Sequence, residues 1–332
     1  MTVFLDVDHF RFQIWRETVA KLEMDPTPFF VRLLAAVAPE RRSEVLKYIN
    51  KNDVRVIVDE NTDRILFQAD GKDQRIMVGL KCLARLWATA FAYFRIYTDV
   101  AAAKLANPKI RERDLRSSER MRQASEVLKW AIETDVALKW KAVTGLSFGS
   151  PRDSFPIGLP QPFAEAEYAS DQHVADELSL MALGYILHHE LAHLRLGHVP
   201  KEGVDSIVQE KDADREAANW LLDGLDDEWT PMFVKRALGV AIGLSWLASL
   251  NVYVGSAASE THPPAYDRLY QVLEQHVEDG GHPVWAMVSL ILSLHLQNQQ
   301  LSFGESVEFG SFKEATNYYV DQIAKLDDNH RK

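Results

Sequence analysis

The chain has 332 residues and a formal net charge of −11, from 48 acidic and 37 basic side chains. That acidic surplus argues against a general nucleic-acid binder, and a hydrophobic share of 47% excludes a disordered chain. Cys82 is the only cysteine, so an intrachain disulfide and an all-cysteine zinc cage are excluded, and a protein-bound transition metal would fall mainly to His, Asp and Glu.

The length suggests two domains, divided near residue 110. The opening MTVFLDVDHFRF carries Asp6 and Asp8 where a secretory signal needs an apolar stretch after a basic one, so a cytoplasmic protein is expected. The first 50 residues read as helical turns broken at Asp25-Pro26-Thr27-Pro28. Residues 53–69 read as a β-hairpin, because VRVIV and RILFQ alternate and Glu60-Asn61-Thr62-Asp63 is turn material. From Ile76 to Leu105 the pattern is helical and mostly apolar, and a charged amphipathic helix is expected over 111–143.

Residues 145–170 hold four prolines and three glycines and read as a long loop or an irregular edge strand. It either lines the mouth of a substrate cleft or is a plain connector. Helices then dominate, at about 171–196, 207–223, 231–257, 263–277, 283–297 and 312–326. Ala237–Ala258 runs 22 residues without a charge. Its serines, Asn251 and glycines favour a buried core helix over a membrane contact through 237–258. The expected architecture is mostly α, of α+β type, with a small N-terminal β element.

Residues 188–198, HHELAHLRLGH, contain His189-Glu190-Leu191-Ala192-His193. Helical positions four apart differ by only about 40° and sit one turn above each other, so two imidazoles there can grip one metal ion. Glu190 lies at the edge of the same face, within reach of a metal-bound water. Leu178, Ala182, Tyr185, His189, His193 and Leu196 form one stripe, Ser170 or Asp171 can cap the start, and Gly197 suits the end. His188 points to the far side, and His198 belongs to a turn. Seventeen residues after His193 comes Glu210, which on a helix shares a face with Ala213, Asp214, Ala217 and Leu221. A carboxylate on an apolar face needs a partner, which a metal supplies. Asp214, one turn on, is placed to accept a hydrogen bond from a ligand imidazole. Two histidines, one glutamate and one open position make the catalytic form of zinc site. The expected reaction is hydrolysis by a zinc-activated water, with Glu190 as general base. Thr261-His262-Pro263-Pro264 reads as a helix entrance, with His262, Tyr266 and Arg268 as candidates for transition-state or substrate contacts or as parts of a cap with an external salt bridge.

HELAH, then E-x-x-A-D at 210–214, then T-H-P-P with Arg268 close behind, resembles the glutamate zincins. Among these the cytosolic Lit-type phage-exclusion peptidases fit best, and the membrane Ste24/HtpX-like peptidases share the three blocks. The resemblance spans about residues 171–275 and lacks the transmembrane helices of the Ste24-like pattern. It implies a zincin-like metallopeptidase helical core within 111–332. Residues 1–110 fall outside the resemblance and are expected to form an α/β region that is regulatory or substrate-recognising. The resemblance also implies His189, His193 and Glu210 as Zn2+ ligands, Glu190 as the base and Asp214 as a support. The Lit resemblance implies a dormant protease switched on during phage infection, with a protein or peptide activator and a host protein as substrate. In the family's known case that substrate is translation elongation factor Tu. The alternatives are a stress-regulatory metalloprotease that cleaves a repressor, and a non-catalytic zinc-binding interaction protein.

Overall fold

The computed structural model describes residues 26–59, 67–107, 118–144, 155, 158–162, 166–198, 204–225, 227–252, 264–298 and 307–331. Helix α1 (Thr27–Val37) begins with proline in its first turn, where a missing N–H costs no hydrogen bond. A short 3-10 turn at Pro39–Arg41 leads into α2 (Arg42–Asn52), which stops at Asp53 in the left-handed conformation.

Three short strands follow: β1 (Arg55–Asp59), β2 (Phe67–Asp70) and β3 (Arg75–Gly79), in the order β1-β3-β2. The hairpin expected over 53–69 is therefore corrected. β1 pairs in parallel with β3, Arg55 opposite Arg75, whereas β2 pairs antiparallel with β3, Phe67 opposite Val78. The real hairpin turns over Asp70–Gln74, where Asp70 Oδ1 accepts the amides of Lys72 and Asp73. The central strand was hidden because RIMVG runs without a break into the apolar helix after it, and five residues are too few to separate periods of 2 and 3.6. The expected turn at 60–63 lies outside the described residues.

Two long helices come next, α3 (Leu80–Ala106) and α4 (Glu119–Thr144), packed on each other. Then follow α5 (Asp171–Arg195), α6 (Val204–Leu222), α7 (Pro231–Val252), α8 (Ala265–His276), α9 (Pro283–Asn298) and α10 (Phe312–Arg331). The fold is mostly helical with a small three-stranded N-terminal sheet, as expected. One apolar core runs from Phe30 in α1 to Ile323 in α10.

Helix α5 lies at its centre. It packs on α1, α3, α6, α7 and β2, and from Leu178 to Ala192 every residue is buried. The closest approach is to α7. A Cβ on Gly239 would lie 2.4 Å from Met181 Cβ and 3.0 Å from the Met181 carbonyl carbon, so only glycine allows this spacing. Among the described residues α7 is the one helix long and apolar enough to cross a membrane, and 67% of that stretch is buried inside the protein. Its Trp246 is fully enclosed and meets the ring of Phe67 from β2 edge-on at 5.8 Å.

Candidate metal centre

The start of α5 is held firmly. The Ser170 side chain accepts the amide of His173 at 3.2 Å, as a helix cap should. Asp171 pairs with Arg95 at 3.1 Å and Arg120 at 2.6 Å, and Trp87 Nε1 donates to Asp176 Oδ1 at 2.5 Å. The other end closes on Gly197, whose φ of +65° suits a residue without a side chain. Its amide donates to the Leu194 carbonyl at 3.3 Å, and the amide of His198 donates to the His193 carbonyl at 2.9 Å. This pair of bonds is the Schellman arrangement, and it folds the chain back over the last turn of α5.

Near that end the predicted ligands converge. His189 Nε2 and His193 Nε2 stand 3.1 Å apart. Glu210, brought in by α6, has Oε2 3.5 Å from His189 Nε2 and Oε1 3.5 Å from His193 Nε2. Ligands about 2.0–2.1 Å from a tetrahedral zinc are separated by about 3.3–3.4 Å, so these three spacings fit one such ion. Two imidazole nitrogens and a carboxylate oxygen are also the donor set that zinc accepts when a fourth position is left for water or substrate. The residues present therefore fit the metal, and these three form a possible metal site.

Behind the ligands lies a buried ionic group. Asp214 Oδ1 is 3.0 Å from His189 Nδ1, a short contact set off the line of the ring N–H. The same oxygen accepts from Tyr185 Oη at 2.9 Å and from a terminal nitrogen of Arg268 at 2.8 Å. Arg268 Nε donates to Asp214 Oδ2 at 2.6 Å, and its remaining nitrogen lies 3.3 Å from Glu210 Oε2. Burial disfavours charge on His189, but Asp214 and Glu210 outweigh it and lift the imidazole to about 10. Burial likewise opposes ionisation of Glu210 and Asp214. The histidines, for Glu210, and chiefly Arg268, for Asp214, still hold both carboxyls well below the usual range. A pocket that attracts a proton to a nitrogen lone pair attracts a divalent cation to the same lone pair.

Glu190 is buried, and its Oε2 accepts the backbone amide of Ala69 at 2.7 Å. Strand β2 is an edge of the sheet, so this amide is directed away from β3 and towards the metal helix. His262 lies outside the described residues. Tyr266 is buried in the core on α8. Arg268 was expected among contacts to substrate or transition state, yet its guanidinium is committed to Asp214 and Glu210. His188 turns away, giving Nε2 to the Leu34 carbonyl at 3.1 Å and stacking on Trp220. Leu196, the last residue of the predicted stripe, is exposed, because the helix ends there.

Sequence reasoning passed over two residues. Ala69 carries no signal, since a backbone amide has none. His198 was assigned to a turn, which is correct, but its Nδ1 lies 3.0 Å from His193 Nδ1. The glycine before it was the available clue.

The described part of the 145–170 loop packs at the opposite end of α5. Phe155 lies against Trp87 and Trp130, and the Gln161 carbonyl accepts from Gln172. Trp87 in turn meets Asp176, thirteen residues before His189, about 20 Å along a helix. These contacts are those of a connector.

The comparisons agree with this geometry. The sequence profile of the family described as Peptidase U49 matches residues 76–288, well over half the chain. The chain belongs to this family and is a peptide hydrolase by that membership. It is 26% identical over 298 residues to an Escherichia coli (strain K12) protein described as "Cell death peptidase", covering 88% of this chain and 94% of the relative. The resemblance to Lit-type peptidases is borne out. No solved structure matches the chain.

Proposed function

We propose that this chain is a zinc-dependent endopeptidase of the cytoplasm that acts as a phage-exclusion or abortive-infection effector. The observation that carries the reading is the convergence of Glu210, from α6, on His189 and His193, which share the buried helix α5 with Glu190, in a chain of a peptidase family. When bound, zinc supplies Lewis acidity towards water and towards the scissile carbonyl. His189, His193 and Glu210 hold it. Glu190 takes the proton from the attacking water and delivers it to the leaving amine. The Ala69 amide fixes Oε2 of Glu190, which leaves Oε1 as the proton acceptor. His262 is the proposed oxyanion donor, on the strength of its place just ahead of α8, the helix whose Arg268 reaches Asp214 and Glu210. The substrate is a protein. The relative's description as a cell death peptidase supports a host target whose loss stops growth, with elongation factor Tu the first candidate through the Lit resemblance. Residues 1–110 are proposed to sense an activator or recognise the substrate.

The experiment is a comparison of proteomes from infected and uninfected cells expressing the wild-type chain or Glu190→Gln. New protein termini are expected only with the wild type. Identical termini in both would reject the proteolytic reading. Metal analysis of the purified protein should find one zinc per chain, and zinc that survives His193→Ala unchanged would reject the centre.

A further inference from the structure

We propose that His198 is a positioning residue for the metal ligand His193, an inference that rests on the metal centre described above. The two Nδ1 atoms are 3.0 Å apart and the rings meet edge to face, 5.0 Å between centroids and 69° between planes. Such a contact needs one N–H and one lone pair. His193 Nε2 belongs to the ligand cluster, where a metal takes its lone pair. The proton of the neutral ring must then sit on Nδ1, so His193 donates and His198 accepts through its own Nδ1. The reverse direction would put the His193 proton on Nε2 and block ligation. In that direction the bond holds the ligand tautomer that leaves Nε2 free for the metal and fixes the rotation of the ring.

The backbone is built to deliver this acceptor. Gly197 takes the left-handed turn, the amide of His198 returns to the carbonyl of His193, and the imidazole comes back over the ligand five residues earlier. The carbonyl of His198 also lies next to Gly71 in the β2–β3 turn, so the sheet backs this corner. Each ligand imidazole then has a second partner: Asp214 for His189 and His198 for His193. The first is an anion within a buried ionic group, whereas the second is a neutral acceptor from a helix-ending turn.

The test is zinc affinity of the full chain, measured by competition with a chromophoric zinc chelator, alongside thermal unfolding of the metal-free protein. His198→Ala is expected to weaken zinc binding about 10–100-fold. His198→Asn, whose Oδ1 overlays the imidazole Nδ1, should recover most of that loss. The metal-free unfolding midpoint should be the same in all three proteins. If His198→Ala binds zinc as tightly as wild type, or if Asn fails to recover what Ala loses, the inference is overturned. A matching fall in the metal-free midpoint would overturn it too, by showing a merely structural role. His193→Ala in the same assay separates the two readings. Its loss of zinc beside an unaffected His198→Ala overturns the positioning role alone, and its retention of zinc overturns the centre itself.

Discussion

The backbone amide of Ala69 and the carboxylate of Glu190, 121 residues apart, are joined by a 2.7 Å hydrogen bond. The edge strand thus orients the carboxylate proposed as the base. A glutamine at 190 keeps an oxygen able to accept from Ala69, so fold and metal should be retained. It cannot take a proton from water. Glu190→Gln is expected to lower peptide hydrolysis by about 10²–10⁴-fold or more with zinc content and unfolding midpoint unchanged. Turnover near the wild-type level would show that another group is the base.

Asp214 serves two partners of opposite demands. It lies beside the ligand His189, and it neutralises the buried guanidinium of Arg268. Asp214→Asn keeps the shape but removes the charge. We expect zinc affinity to fall about 10–100-fold, as when an outer partner of a ligand is lost. We also expect the metal-free protein to lose about 3–5 kcal/mol, because a buried cation loses the nearer of its two anions. Urea unfolding with chelator present reads the second effect by itself. A variant as stable as wild type would show that Glu210 alone suffices to hold Arg268.

The grouping of the candidate ligands was legible because helical spacing is a local property. His189 and His193 are one turn apart in sequence and in space, and Glu210 with Asp214 repeats the pattern on the next helix. The long helices were equally plain, and α5 runs within a residue or so of its expected bounds. What escaped was non-local. The parallel pairing of β1 with β3 depends on a strand absorbed into a helix-like run, and no periodicity records which of three short strands is central. The partner of Arg268 also escaped. Its neighbours in sequence suggested either a contact to substrate or transition state or an external salt bridge, whereas Asp214, 54 residues earlier, is its actual counterion. His198 was visible as a residue but not as a partner, since that required the turn at Gly197 to be built.

The packing of α7 on α5 gives a test of the core that supports the site. Gly239→Ala would place its Cβ 2.4 Å from Met181 Cβ, with backbone close behind, so no flexible side-chain end can yield. The helices must part, and Tyr185, one turn beyond Met181, carries the hydroxyl that meets Asp214. Overpacking of this kind costs about 1–3 kcal/mol. Urea unfolding should show that loss, accompanied by weaker zinc binding. An unchanged midpoint would mean that α7 can shift without strain.

His295 on α9 is buried, and its Nε2 meets Tyr93 Oη on α3 at 2.8 Å. Burial depresses its pKa to about 4, against about 6.5 in an unfolded chain. The folded protein therefore keeps this ring neutral at a pH where the unfolded chain binds a proton. Stability from this group is fully present above about 6.5 and is lost as pH falls from there towards 4. Between pH 7 and 5 the loss amounts to about 2 kcal/mol. His188, depressed to about 3 by burial, adds a loss of the same sign to wild type and variant alike. His295→Gln removes the titrating group while leaving an amide able to meet Tyr93. Urea unfolding at pH 7 and pH 5 should therefore show a smaller acid-induced loss in the variant than in the wild type, by about 2 kcal/mol. Equal losses in the two proteins would mean that His295 is protonated in the folded state.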